Sequence, residues 1–174
     1  MASPMLDYSQ SEHLMLDGYN LVHAIPEFRK VMRRDGMDAA RARFEDYARC
    51  LHEPGKVRLT IVYDGQGSKD EVQQLIPKDP GLAIVFTQQG TSADEFIERI
   101  IAGAKQPDKI YVATNDLAIV QTFAAMGAFS LRADDLVGRI DDVLKAQRRA
   151  LDRTRVKNHD KWDGREFREK LKGL

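Results

Sequence analysis

The sequence predicts an α/β protein: a three-layer α/β/α sandwich around a mostly parallel sheet. Three observations predict it. Short apolar runs rich in β-branched residues recur along the chain, as in LTIVY and LAIVF. Segments with apolar residues at spacings of three and four fall between these runs. Capping and turn residues separate the two kinds of segment, so strands alternate with helices.

Taken in order, LMLD (14–17) reads as the first strand, buried on both faces like the other continuous runs. Asp17-Gly18 after it reads as a turn. IPEFRKVMRR (25–34) has Pro26 near a helix start. Residues 37–53 set Met37, Ala40, Phe44, Ala48 and Leu51 on one helical face. VRLTIVYD (57–64) is the second strand. The polar stretch 65–81, GQGSKDEVQQLIPKDPG, reads as a mobile loop between two core strands, with room for a short turn of helix. LAIVFT (82–87) is a strand. Residues 92–105 form a helix with Ser92 as N-cap and Glu95 three residues on, a capping-box spacing. IYVAT (110–114) is a strand and 117–126 a short helix closed by Gly127. AFSL (128–131) is a weak strand, and a last helix begins near Ala133.

A chain of 174 residues with 43% hydrophobic and 31% charged side chains suits one soluble domain with an appendage. Its formal net charge is zero, unevenly spread. Residues 1–144 carry 16 basic against 22 acidic side chains, a net of −6, and residues 145–174 carry 11 against 5, a net of +6. We therefore expect a polar segment over 1–12, a main domain over 13–145 and a basic helical tail over 146–174. No apolar run reaches the roughly 20 residues of a membrane span. The opening MASPMLDYSQSE lacks the basic and apolar regions of a signal peptide. The single cysteine, Cys50, excludes an internal disulfide or a multi-cysteine zinc site, and a reducing cytoplasm fits.

In a parallel sheet the carboxyl ends of the strands share one edge, where ligands bind. Asp17, Asp64 and Asp116 each follow a strand, and Asp94 opens the helix after another. Any one of them is equally well a cap or turn residue. Four carboxylates at one edge repel one another and call for a cation. Oxygen ligands suit Mg²⁺ or Mn²⁺, and phosphodiester hydrolysis is the chemistry that fits.

The segments LMLDGYNLVHAIPEF, LTIVYDGQG, IVFTQQGTSADEFIERI and IYVATNDLAIVQTFAAMGA resemble the YacP-like branch of the NYN ribonuclease domains, within the PIN-like nuclease fold. The resemblance runs over residues 13–145 in order and spacing. It implies a Mg²⁺- or Mn²⁺-dependent endoribonuclease, with at least one metal on Asp17, Asp64, Asp94 and Asp116. Asn20 matches the signature asparagine and is expected to orient Asp17 or a water. It also implies in-line attack by water that leaves 5′-phosphate and 3′-hydroxyl ends. RNA, mRNA foremost, is the expected substrate, and association with translating ribosomes is known in that family.

Among lesser candidates, Thr91 and Ser92 are expected to cap their helix and to offer a phosphate contact, and Asn115 a substrate contact. Glu98 sits one turn beyond Asp94. His13, His23, His52 and His159 show no metal-ligand spacing. The tail offers basic residues and Trp162 for RNA, or else a solvated helix with Trp162 and Phe167 packed back. Two other readings stand beside the nuclease: a non-catalytic RNA- or ribosome-binding module of the same fold, and a metal-dependent hydrolase of DNA or another phosphate ester.

Overall fold

A computed structural model describes residues 7–67, 71–76 and 79–161. The chain divides into two compact units, Met1–Ile140 and Asp141–Leu174. In the first, six strands form one sheet in the order β3-β4-β2-β1-β5-β6. They are β1 (Glu12–Asp17), β2 (Val57–Gly67), β3 (Glu71–Gln74), β4 (Leu82–Gln88), β5 (Ile110–Ala113) and β6 (Phe129–Leu131). All neighbours pair in parallel except β3, which runs antiparallel along β4. Six helices accompany them: α1 (Gly18–Ala24), α2 (Pro26–Asp35), α3 (Met37–Ala48), α4 (Ala93–Ala102), α5 (Leu117–Ala125) and α6 (Ala133–Lys161). The α/β architecture with a mostly parallel sheet is thus the one expected.

The sheet is covered on both faces because its strands are apolar on both. Met15, Val62, Val85 and Val112 point to one side and pack with Ala93, Ile97 and Ile101 of α4 and Phe123 of α5. The alternate residues Leu14, Leu16, Leu59, Ile61 and Tyr63 are buried on the other side. There Leu21 of α1, Phe28 of α2 and Phe44 of α3 are buried too, with the Phe28 and Phe44 rings edge to face at 5.4 Å. Deleting a ring such as Phe44 leaves a cavity and costs about 3–5 kcal/mol.

Two expectations are corrected. The stretch 65–81 is not simply a loop. The second strand continues to Gly67, and β3 returns along β4 with Val72 opposite Val85. The Asp17-Gly18 turn does not exist, since α1 begins directly at Gly18. The last helix extends to Lys161, so the second unit is helical where described, with Leu151 exposed. Trp162 and Phe167 lie outside the described residues. No described helix is long and apolar enough to cross a membrane.

The order of strands sets the position of the site. The chain moves outward from β1 through β2 to β4, then returns across the sheet to β5 on the other flank of β1. The reversal falls between the carboxyl ends of β1 and β5, which is where open α/β sheets place their ligands. Asp17 and Thr114 stand at that point.

Candidate active site

Each strand-end carboxylate is held by a local device. Asp17 is only 8% exposed and is the N-cap of α1. Its Oδ1 accepts from the Asn20 backbone N–H at 3.4 Å, and its Oδ2 accepts from the Thr114 hydroxyl at 3.2 Å. Gly18 is needed for close approach rather than for turning. A Cβ there would stand 2.1 Å from Cε1 of Tyr63, whose ring is fully buried. Gly18→Ala is expected to cost about 1–3 kcal/mol through overpacking, read as a lower urea midpoint at unchanged slope.

Asp64 sits where β2 loses its regular register with β4, between Tyr63 and Gly67. Such bulges re-aim a side chain beside a site. Gly65 permits it, because a Cβ there would fall 1.4 Å from the Thr87 carbonyl oxygen. The Gly65 N–H donates to Thr87 Oγ1 at 2.9 Å, and that hydroxyl donates to the Thr91 carbonyl at 2.6 Å. Asp64 Oδ1 accepts from the Ala93 N–H, the first residue of α4.

Asp116 is exposed and caps α5, accepting from the Ala118 N–H at 3.0 Å. Asp94 is different. The α4 terminus already has the Ser92–Glu95 capping box, so Asp94 is not needed as a cap. Its Oδ1 is buried and has no hydrogen-bond partner among the described residues.

The electrostatics follow from this placement. Burial, then the Asp94 charge, push Asp17 up to about 7 despite the two hydrogen bonds that favour its carboxylate. Burial, then Asp116, Asp64 and Glu98, push Asp94 up to about 6. Asp17 and Asp116 therefore serve as N-caps and Asp64 accepts from the first N–H of α4, yet these roles account for neither the burial of Asp94 Oδ1 nor the mutual repulsion.

The YacP-like NYN domain model matches residues 14–173. The chain belongs to that family. Among solved structures it is similar to Rae1 (YacP) from Bacillus subtilis. In a tryptophan-to-leucine mutant of that protein the identity is 21%, with 83% of this chain and 84% of that chain covered at a TM-score of 0.66. In the unmutated protein the identity is again 21%, with 92% and 90% covered at 0.60. At that identity the likeness shows the fold. No curated protein matches the chain.

Do the residues of this NYN domain fit a divalent cation? Among the described residues, no three His, Cys, Asp or Glu side chains already stand close enough to clasp one. The donor set nevertheless consists of hard oxygens. Among the described residues one buried carboxylate oxygen lacks a partner, and burial with neighbouring carboxylates raises two of the carboxyls. The residues fit the group.

The remaining expected residues are tied into the frame. Asn20 reaches Asp17 through its backbone, while its side-chain carbonyl accepts from the Asn115 N–H at 2.8 Å. The Asn115 carbonyl in turn accepts from the Ala133 N–H at 2.8 Å, at the start of α6. This relay clamps α1, the loop after β5 and α6. Ser92 accepts from the Glu95 N–H as N-cap, and Thr91 braces the loop to Thr87. Sequence reasoning missed Thr114 as the donor to Asp17. Its signal was a hydroxyl at the end of the strand beside β1. Glu98, one turn beyond Asp94, lies close enough to raise it.

Proposed function

We propose that this NYN domain is a metal-dependent endoribonuclease that hydrolyses RNA phosphodiester bonds, in mRNA foremost, within the cytoplasm. The carrying observation is the buried, partnerless Oδ1 of Asp94 among carboxylates that repel one another. Membership in a nuclease domain family supports the same reading. Asp17, Asp94, Asp64 and Asp116 would hold Mg²⁺ or Mn²⁺. When bound, such an ion supplies charge neutralisation at the phosphate and lowers the pKa of a water.

The chain's own residues perform the positioning. Thr114 and the Asn20 N–H fix both oxygens of Asp17 in direction. Hydrogen bonds through Thr87 fix the loop that carries Asp94 into place, and the Asn20–Asn115–Ala133 relay fixes the wall beside Asp116. Preorganised charge of this kind lowers a barrier without reorganisation during reaction.

The test is incubation of a mixed pool of end-labelled RNAs with Mn²⁺ or Mg²⁺, beside an EDTA control and a DNA competitor. Cleavage that needs the metal and leaves 5′-phosphate ends is the expected result. Preference for DNA would move the assignment to another phosphodiester substrate. If Mn²⁺ neither stabilises the fold nor permits cleavage of free or ribosome-bound RNA, the binding module of the same fold replaces the nuclease.

A further inference from the structure

At the opposite pole of the sheet, where β1, β2 and β5 begin, the first unit holds a concavity of about 420 Å³. That is within the size range of small-molecule sites, roughly 300–1,000 Å³. Its polar lining has one sign. Arg58, Lys105 and Lys109 border it and no carboxylate does. This stands out in a body, residues 1–144, whose net charge is −6.

The cations are not placed there for internal partners. Arg58 is half-buried, and among the described residues it makes no ion pair or hydrogen bond. Its charge reaches both His13 and Tyr8 in the same lining. Two acids at this end of the sheet are engaged elsewhere. Asp79 accepts from Tyr8, His52 and Gly81, and Glu12 pairs with Arg139. Lys109 reaches Gln10, a neutral group. The carboxyl end of α4 favours a nearby cation, but that dipole amounts to about half a charge. It accounts for one cation and leaves two.

His13 adds a neutral polar group. Its Nε2 meets Thr60 Oγ1 at 2.8 Å, and no hydrogen bond holds its Nδ1 among the described residues. Burial, then the Arg58 charge, push the ring down to about 3, so at neutral pH it adds no charge to the pocket. Ile100, Ala104 and Ile110 give an apolar floor, and the Tyr8 ring a flat wall. A cationic rim, an apolar floor and an aromatic wall match a phosphate group carried on a flat heterocycle.

We propose that the cavity bounded by Arg58, Lys105, Lys109, His13 and Tyr8 binds a nucleotide-sized phosphorylated ligand, independently of the acidic edge. Arg58 and the lysines meet the phosphate, and the base lies on Tyr8 and the apolar floor. The same chemistry arises from a free mononucleotide or from a phosphorylated RNA end.

The experiment is titration calorimetry of the full chain in EDTA with AMP, GMP, CMP, UMP and inorganic phosphate. Arg58→Gln and Lys105→Gln are compared with wild type. Lys105 is exposed, so its variant is expected to fold even if Arg58→Gln does not. The expected result is saturable binding of at least one mononucleotide, weakened about tenfold or more by either substitution and unchanged by Asp94→Asn. Competition by a 5′-phosphorylated oligonucleotide, and not by its 5′-hydroxyl form, assigns the source to an RNA end. Absence of such competition assigns it to a free nucleotide. No saturable binding, binding indifferent to Lys105→Gln, or binding lost in Asp94→Asn overturns the proposal. None of these outcomes depends on whether the acidic edge cleaves RNA.

Discussion

Asp94→Asn is expected to lower metal-dependent RNA cleavage by on the order of 10³-fold while making the metal-free fold more stable. The two effects have one cause. Asn keeps the shape of Asp and removes a charge that burial and the neighbouring carboxylates Asp116, Asp64, Glu98 and Glu95 oppose. A carboxyl raised from 3.8 to about 6 binds its proton more tightly in the folded chain than in the unfolded one. Its unfavourable charge is therefore absent below the unfolded value and fully felt above the folded one. Stability falls as pH rises through that window. Asp17, raised to about 7, acts with the same sign. Metal-free wild type is thus more stable at pH 5 than at pH 8, and the variant has a flatter profile. Mn²⁺ at a hundred times its dissociation constant adds about 2.7 kcal/mol to wild type, and little to the variant. Urea titrations at the two pH values, with and without Mn²⁺, read all of this. An Asp94→Asn protein that is less stable than wild type at pH 8 without metal would falsify the account.

The fold was legible because its strands are continuous apolar runs and its helices carry caps. Ser92 and Glu95 form the capping box their spacing implies, and Gly127 follows α5 with φ of +91°. The start of α1 was not legible, because Asp-Gly is common in turns and an N-cap Asp looks the same. Only the Tyr63 ring against Gly18 distinguishes the two, and it is 45 positions away in sequence. β3 was hidden by its composition, since Glu71, Gln73 and Gln74 carry no alternation that marks a strand. In the site, the four carboxylates could be named from strand ends alone. Which of them is unsatisfied could not, because the N–H groups that engage Asp17, Asp64 and Asp116 are set by helix starts. The side-chain relay from Asn20 to Asn115 to Ala133 spans 113 positions and has no local signature.

Asp79→Ala is expected to destabilise the protein by about 3–5 kcal/mol with the acidic edge intact. Asp79 is buried just ahead of β4 and receives three donors. The Tyr8 hydroxyl meets Oδ1 at 2.6 Å, the Gly81 N–H meets Oδ1 at 2.8 Å, and His52 Nε2 meets Oδ2 at 2.9 Å. His52 Nδ1 faces the Val57 carbonyl at 2.8 Å. The ring thus links the Asp79 carboxylate to the Val57 carbonyl. Removing the carboxylate leaves the His52 ring, the Gly81 N–H and the Tyr8 hydroxyl without their shared partner. Tyr8→Phe removes one donor and costs about 1–1.5 kcal/mol. Burial alone pushes the Asp79 carboxyl up, but its hydrogen bonds more than offset this and hold it below the usual carboxylate range. Its contribution is therefore present above about pH 4 and is lost as pH falls below that. The expected shift in Tm for Asp79→Ala is on the order of 10 °C downward at pH 7, shrinking toward pH 3. These residues cluster around the start of β4 and the carboxylates lie at the other ends of the strands. RNA cleavage by Asp79→Ala at a temperature where it is folded is accordingly expected to match wild type. A Tm difference that stays constant from pH 7 to pH 3 would show that packing, and not the buried charge, carries the loss.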